Sequence, residues 1–172
     1  MRKESRIIIL RGNSGSGKTT VAKKLQRQLG RGTLLVSQDV VRRDMLYERD
    51  GPGTQAIGLL IELIRYGSKN CENVILEGIL YADWYRELFE SVKSAFENRV
   101  YAWYFDIPFE ETLARHKTKP NALEFGETEM RRWWREQDLI GIIPERLIGK
   151  DMTEDETVDA VLACLAPEIK AL

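Results

Sequence analysis

Short apolar runs alternate with longer amphipathic stretches along this chain, and the spacing of apolar positions sorts them into two kinds of element. Arg6 to Arg11 carries a continuous Ile-rich run stopped by Gly12, the pattern of a strand buried on both faces. Thr33 to Ser37, Val74 to Leu76 (followed by Glu77-Gly78), Val100 to Phe105 and Arg146 to Ile148 predict four further strands. Between the first two, Val21, Leu25 and Leu29 recur at helical spacing in Lys18 to Leu29, with Gly30 and Gly32 as stop signals. A charged helix is predicted from about Asp39 to Tyr47. After the Gly51-Pro52-Gly53 turn, Ile57, Leu60, Ile61 and Ile64 mark an amphipathic one. Tyr81 to Phe96, Glu110 to Arg115, Glu127 to Asp138 and Glu154 to Leu165 also read as helices, whereas His116 to Gly126 is polar and predicts no regular element.

Five strands separated by helices predict βαβ units, hence an α/β fold with a parallel sheet covered by helices on both faces. In such sheets, ligands bind beyond the carboxyl ends of the strands. That rule directs attention to Gly12–Thr19, Ser37–Arg42, Glu77-Gly78, Asp106 and the loop after Ile148. No internal repeat or low-complexity linker interrupts the chain, so residues 1–172 are expected to form one domain.

Gly12-Asn13-Ser14-Gly15-Ser16-Gly17-Lys18-Thr19 fits GxxxxGK[ST] and falls between a predicted strand and a predicted helix. Glycines there let the backbone turn so that several N–H groups face one phosphate. The following helix, which includes Thr20, adds its positive N-terminal end. Lys18 can reach the outer phosphates and the Thr19 hydroxyl can ligate Mg²⁺. The segment therefore implies a nucleoside triphosphate site.

Three classes of triphosphate protein compete for it. GTPases carry an NKxD guanine-reading motif, which is missing here. Motor and AAA-type ATPases are usually larger and end a strand in two acidic residues, whereas Glu77 is single and followed by Gly78. Small phosphotransferases fit best. They need a carboxylate at the acceptor, and Asp39, after the second predicted strand, can orient an acceptor hydroxyl or take its proton. Arg42, three residues on, shares its helical face and can fix that carboxylate or grip an anionic acceptor group. Glu77 is placed to hold a metal-bound water or a substrate hydroxyl. Asp106 reads as a cap for the next helix, His116 as a surface residue, and Arg131, Arg132 and Arg135 as a solvated helix face. Of the adjacent Trp133 and Trp134, helical geometry allows one in the core and one at the acceptor cleft.

The combination GNSGSGKTT, SQDVVR and a cation-rich stretch after the fourth strand resembles the polynucleotide kinase, zeta-toxin and antibiotic phosphotransferase branch of the small P-loop kinases. In polynucleotide kinases the second strand ends in Asp, two residues, then Arg, the spacing of Asp39-Val40-Val41-Arg42. The resemblance implies a three-layer α/β/α P-loop NTPase fold, a five-stranded sheet in the order 2-3-1-4-5, and a helical lid over about residues 116–137. It implies Asp39 as general base, Arg42 as its partner, and Arg115, then Lys119, as lid cations closing on the transferring phosphate. Gly149 to Met152 would lie near the adenine.

Composition narrows this picture without redirecting it. There are 26 Lys plus Arg against 27 Asp plus Glu, so the formal net charge is −1. Near-neutrality favours a small-molecule hydroxyl over a long nucleic acid as acceptor, although a nucleoside or a polynucleotide 5′-hydroxyl also satisfies the motifs. The apolar run Ile7–Leu10 is too short for a signal segment or a membrane span. Two cysteines without metal-ligand spacing suit a reduced cytoplasm. The expectation is an ATP- and Mg²⁺-dependent phosphotransferase acting on a hydroxyl. The alternative is a nucleotide-binding switch or regulatory ATPase without an acceptor. Oligomeric state leaves no sequence signal.

Overall fold

The structure is a computed structural model that describes residues 4–118 and 120–169. Strands β1 (Arg6–Gly12), β2 (Leu34–Ser37), β3 (Asn73–Gly78), β4 (Val100–Phe105) and β5 (Glu145–Ile148) form one parallel sheet in the order β2-β3-β1-β4-β5. Helices α1 (Lys18–Leu29), α2 (Ala56–Asn70), α3 (Arg86–Phe96), α4 (Phe109–His116), α5 (Glu127–Trp133) and α6 (Glu154–Ile169) connect or follow them. The expected α/β class, strand order and three layers are all present.

Alternation along β1 explains the layers. Ile7 and Ile9 point into a core made with Leu60 and Ile64 of α2 and Leu88, Phe89 and Val92 of α3. Ile8 and Leu10 point the other way, against Val21 and Leu25 of α1 and Val158 and Val161 of α6. With both faces covered, β1 has no solvent side, which is why its pattern is a continuous apolar run.

Three elements differ from the periodicity. Asp39 to Tyr47 is not an α-helix: Val40–Met45 forms a π-helical turn, closed by the Leu46 N–H donating to the Val41 carbonyl at 3.1 Å. Only Val41 of this turn is buried, so little packing selects a regular helix. α3 starts at Arg86 rather than Tyr81, and Tyr81 and Trp84, in the turn before it, line the cleft described below. α5 stops at Trp133, after which the chain passes through a turn at 136–137 and bends at 141–143 to reach β5. Within the polar stretch, Pro120–Leu123 makes a short 3₁₀ turn. None of the described helices is long and apolar enough to cross a membrane.

Candidate functional site

The phosphate loop turns from β1 into α1 under tight steric limits. Gly12 and Gly15 have φ of +146° and +80°, and a Cβ at Gly15 would lie 2.6 Å from the Thr112 carbonyl oxygen of α4. Only glycine lets α4 sit this close. Lys18 Nζ donates to the Asn13 carbonyl at 2.8 Å and to Ser16 Oγ at 3.2 Å, so the ammonium lies along the concave side of the loop. Thr19 and Thr20 open α1 and are exposed.

Parallel register sets Ser37 of β2 beside Glu77 of β3, at the carboxyl edge where the loop turns. Glu77 is buried; its Oε1 accepts from Ser37 Oγ at 2.6 Å and its Oε2 from Thr19 Oγ1 at 3.2 Å. A hydroxyl and a carboxylate beside a phosphate loop are hard oxygen donors. They fit Mg²⁺, which takes one or two carboxylates and completes its shell with water and phosphate oxygens. Among the described residues there is no cluster of three or more acidic, His or Cys side chains able to hold a metal by itself.

Asp39 begins the π-helical turn. Its Oδ1 accepts from Arg42 Nη2 at 2.8 Å and lies 3.6 Å from Arg43 Nε. Arg42 also donates to the Glu48 carbonyl, and Arg43 lies 3.3 Å from Glu124. A cleft of about 410 Å³ brings Lys18, Thr19, Asp39, Arg42 and Glu77 to a common space. Arg115 of α4 approaches the loop from outside, donating to the Ser16 carbonyl at 3.2 Å and to Glu111 Oε1 at 2.8 Å. Lys119 lies outside the described residues. The Gly149–Met152 segment follows β5, with Met152 packed on the second core.

Several expectations require correction. His116 is buried, not a surface residue: Nε2 meets the Phe125 carbonyl at 2.8 Å and the two rings stack at 4.4 Å, closing the base of the 116–126 loop. Asp106 does not cap α4; it accepts from Gln137 Nε2 at 3.2 Å. Arg135 lies beyond α5 and turns inward, 4.0 Å from the Tyr81 ring centroid and 2.5 Å from Asp83. Trp133 lines the cleft while Trp134 meets Phe109 edge-on at 5.3 Å.

The tertiary structure adds residues that periodicity passed over. Asn13 of the phosphate loop holds the chain after α5: its Nδ2 donates to the Arg135 carbonyl at 2.6 Å, and the Arg135 N–H donates to its Oδ1 at 3.0 Å. Arg11, fully buried in β1, donates to the Leu80 carbonyl at 2.8 Å, Asp138 Oδ2 at 3.0 Å and Glu145 Oε1 at 3.0 Å. A charge inside an apolar strand was the available signal, since a buried guanidinium demands partners. Gln38, buried under Gly78, ties the 48–53 loop to the end of β3; it donates to Asp50 Oδ2 and Tyr85 Oη and accepts from the Ile79 N–H. Burial holds the Tyr85 hydroxyl far above its ordinary pKa, helped by Asp50, to which it donates. Burial likewise pushes Tyr81 up to about 12, and its hydroxyl donates to the Trp133 carbonyl.

Residues 7–137, more than half of the chain, match the family described as "AAA domain", and the chain belongs to that family. That description names a domain and not an activity, and the match agrees with the small P-loop kinase class expected above. Among solved structures, the APS kinase of Mycobacterium tuberculosis in complex with AMPPNP and APS superposes with a TM-score of 0.68 at 18% identity, over 96% of this chain and 99% of that one. A gluconokinase from Sinorhizobium meliloti gives 0.63 at 17%, over 99% and 98%. The tunicamycin resistance protein of Deinococcus radiodurans gives 0.62 at 18%, over 94% and 95%. The fold is thus the one these small P-loop kinases share. No curated protein matches the chain by sequence.

Proposed function

We propose that this protein is an ATP- and Mg²⁺-dependent phosphotransferase that moves the γ-phosphate of ATP to a hydroxyl of a small molecule. The observation that carries the reading is the single cleft that the phosphate loop, Glu77 and the Asp39–Arg42 pair all line. We read residues 1–172 as one kinase domain with 116–137 as its lid. Two free, half-buried cysteines suit a reducing cytoplasm.

Backbone N–H groups of Gly12–Thr19 receive the β- and γ-phosphates, and Lys18 exchanges its loop contacts for phosphate oxygens. Thr19 and Glu77 would hold Mg²⁺, which supplies charge neutralisation at those phosphates. Arg42 and Arg43 both address Asp39 Oδ1, which leaves Oδ2 to accept the acceptor's proton. The acceptor oxygen then bonds to the γ-phosphorus as the bridging P–O bond breaks, and ADP leaves with that electron pair. Arg115, already against the Ser16 carbonyl, moves onto the transferring oxygens and stabilises their charge.

Labelled ATP offered with nucleosides, oligonucleotides, sugars and aminoglycosides tests the reading. Asp39→Asn is expected to keep ATP binding and lose transfer by about 10²–10⁴-fold. Transfer at the original rate in that variant refutes the role of Asp39. Release of phosphate to water alone across the whole panel identifies a regulatory ATPase instead.

A further inference from the structure

The acceptor end of the cleft has a chemical character of its own, and its charges are unequally committed. Its walls include Trp84, from the turn before α3, and Trp133, at the end of α5. Each ring packs against a second aromatic ring of the cleft lining. Tyr81 meets Trp84 edge-on at 4.7 Å, and Phe125 meets Trp133 at 5.2 Å. Arg135 braces the Trp84 wall: it lies over Tyr81 and 5.2 Å from the Trp84 ring, while Asn13 grips its backbone. Rings held this way offer flat apolar surface at little entropic penalty.

The acidic groups at this end are already engaged. Asp50 Oδ1 accepts from Tyr85 Oη and the Gly51 N–H, and its Oδ2 accepts from Gln38. Both Glu77 oxygens are taken by hydroxyls. Asp39 is bound to Arg42, and Arg43 is shared between Asp39 and Glu124. Arg49 differs. It lines the same cleft, and among the described residues its guanidinium has neither an ion pair nor a hydrogen bond. Its backbone is nevertheless set in place, because the Arg49 N–H donates to Glu48, its carbonyl accepts from Thr54 Oγ1, and the next residue is the anchored Asp50.

We propose that the acceptor is a ring-bearing hydroxyl compound that also carries one carboxylate or phosphate, its ring face against Trp84 and Trp133 and its anion on Arg49. This rests on the phosphotransferase reading and names the acceptor class of that site. A guanidinium fork suits carboxylate and phosphate equally. One uncommitted cation matches one anion; a nucleic-acid strand would need a track of them.

The test crosses ring with charge. Thymidine 3′-monophosphate, 4-(hydroxymethyl)benzoate and glucuronate are compared with thymidine, 4-methylbenzyl alcohol and glucose, and with open-chain glycerol 2-phosphate. Binding is read by tryptophan fluorescence with AMPPNP present, and transfer by labelled ATP. At least one anionic ring compound should bind more tightly than both its neutral partner and the open-chain anion; the phosphate and carboxylate arms separate the two anion sources. Arg49→Gln should weaken that compound roughly 10–100-fold and leave its neutral partner unchanged. Trp133→Ala should weaken charged and neutral ring compounds alike without moving AMPPNP affinity. Equal binding of anionic and neutral rings, preference for the open-chain anion, or an unchanged ratio in Arg49→Gln overturns the inference while transfer to any acceptor upholds the enzyme class. Arg49-dependent binding without transfer does the reverse.

Discussion

Replacing Arg11 by Met removes a guanidinium that no solvent reaches and leaves its partners in place. Glu145 is the decisive one, since its side chain is only 1% exposed against 17% for Asp138. Breaking a buried pair from one side destabilises by about 3–5 kcal/mol, because the remaining carboxylate stays desolvated without its counter-charge. The Leu80 carbonyl also loses both donors, at 3.2 and 2.8 Å, a penalty that overlaps the first. For a chain of this length each kcal/mol moves Tm by about 2–4 °C, so the expected fall is roughly 6–20 °C. Urea denaturation followed by circular dichroism should show a lower midpoint at unchanged slope. In Arg11→Met with Glu145→Gln the orphan charge is gone, and the amide oxygen still accepts from the Ile140 N–H, 2.7 Å away in the parent. The double variant should therefore lose less than the sum of the two single ones. A loss below about 1 kcal/mol in Arg11→Met, or strict additivity, refutes the argument.

Glu77→Gln keeps one of the two acceptor oxygens that Ser37 and Thr19 use and removes the charge; the Mg²⁺ concentration needed for half-maximal turnover should rise about 10–100-fold, read by metal titration. Arg115→Gln should lower kcat by about 10³-fold with little change in nucleotide Kd, since its present contact is with the outside of the loop; equal loss in both would make it a structural residue. Burial raises the pKa of Tyr81 to about 12, with Arg135 opposing the rise. The folded state thus holds that proton more tightly than the unfolded one, so this stability is complete below pH 10 and is lost as pH climbs from 10 toward 12. Tyr81→Phe should flatten the alkaline decline in Tm, in part only, because burial shifts Tyr85 and Tyr104 the same way.

Local sequence was sufficient wherever the deciding interactions were local or periodic. The Gly-rich loop carries its own steric requirements, and the continuous apolar run of β1 reports burial on both faces. Strand number and the lysine, hydroxyl and glycine positions of the phosphate loop follow from these alone. The spacing of Asp39 and Arg42 also anticipated their ion pair, because three residues bring side chains together in either an α- or a π-helical turn.

Where the outcome depended on partners far along the chain, periodicity misled. A helix continuing to Asp138 is plausible from Glu127 onward, but Asn13 captures the backbone of Arg135, 122 residues away, and the helix ends at Trp133. His116 has no apolar signature, yet ring stacking and one carbonyl make it interior. Nor could sequence say that Arg11 is neutralised by Asp138 and Glu145, or that, among the described residues, Arg49 is the cleft arginine whose guanidinium has no protein partner. Sequence determined that a phosphate would be bound, because that demands a short backbone motif. Tertiary structure decided how charges are committed around the cleft, because a charge is spent or free according to what folds against it.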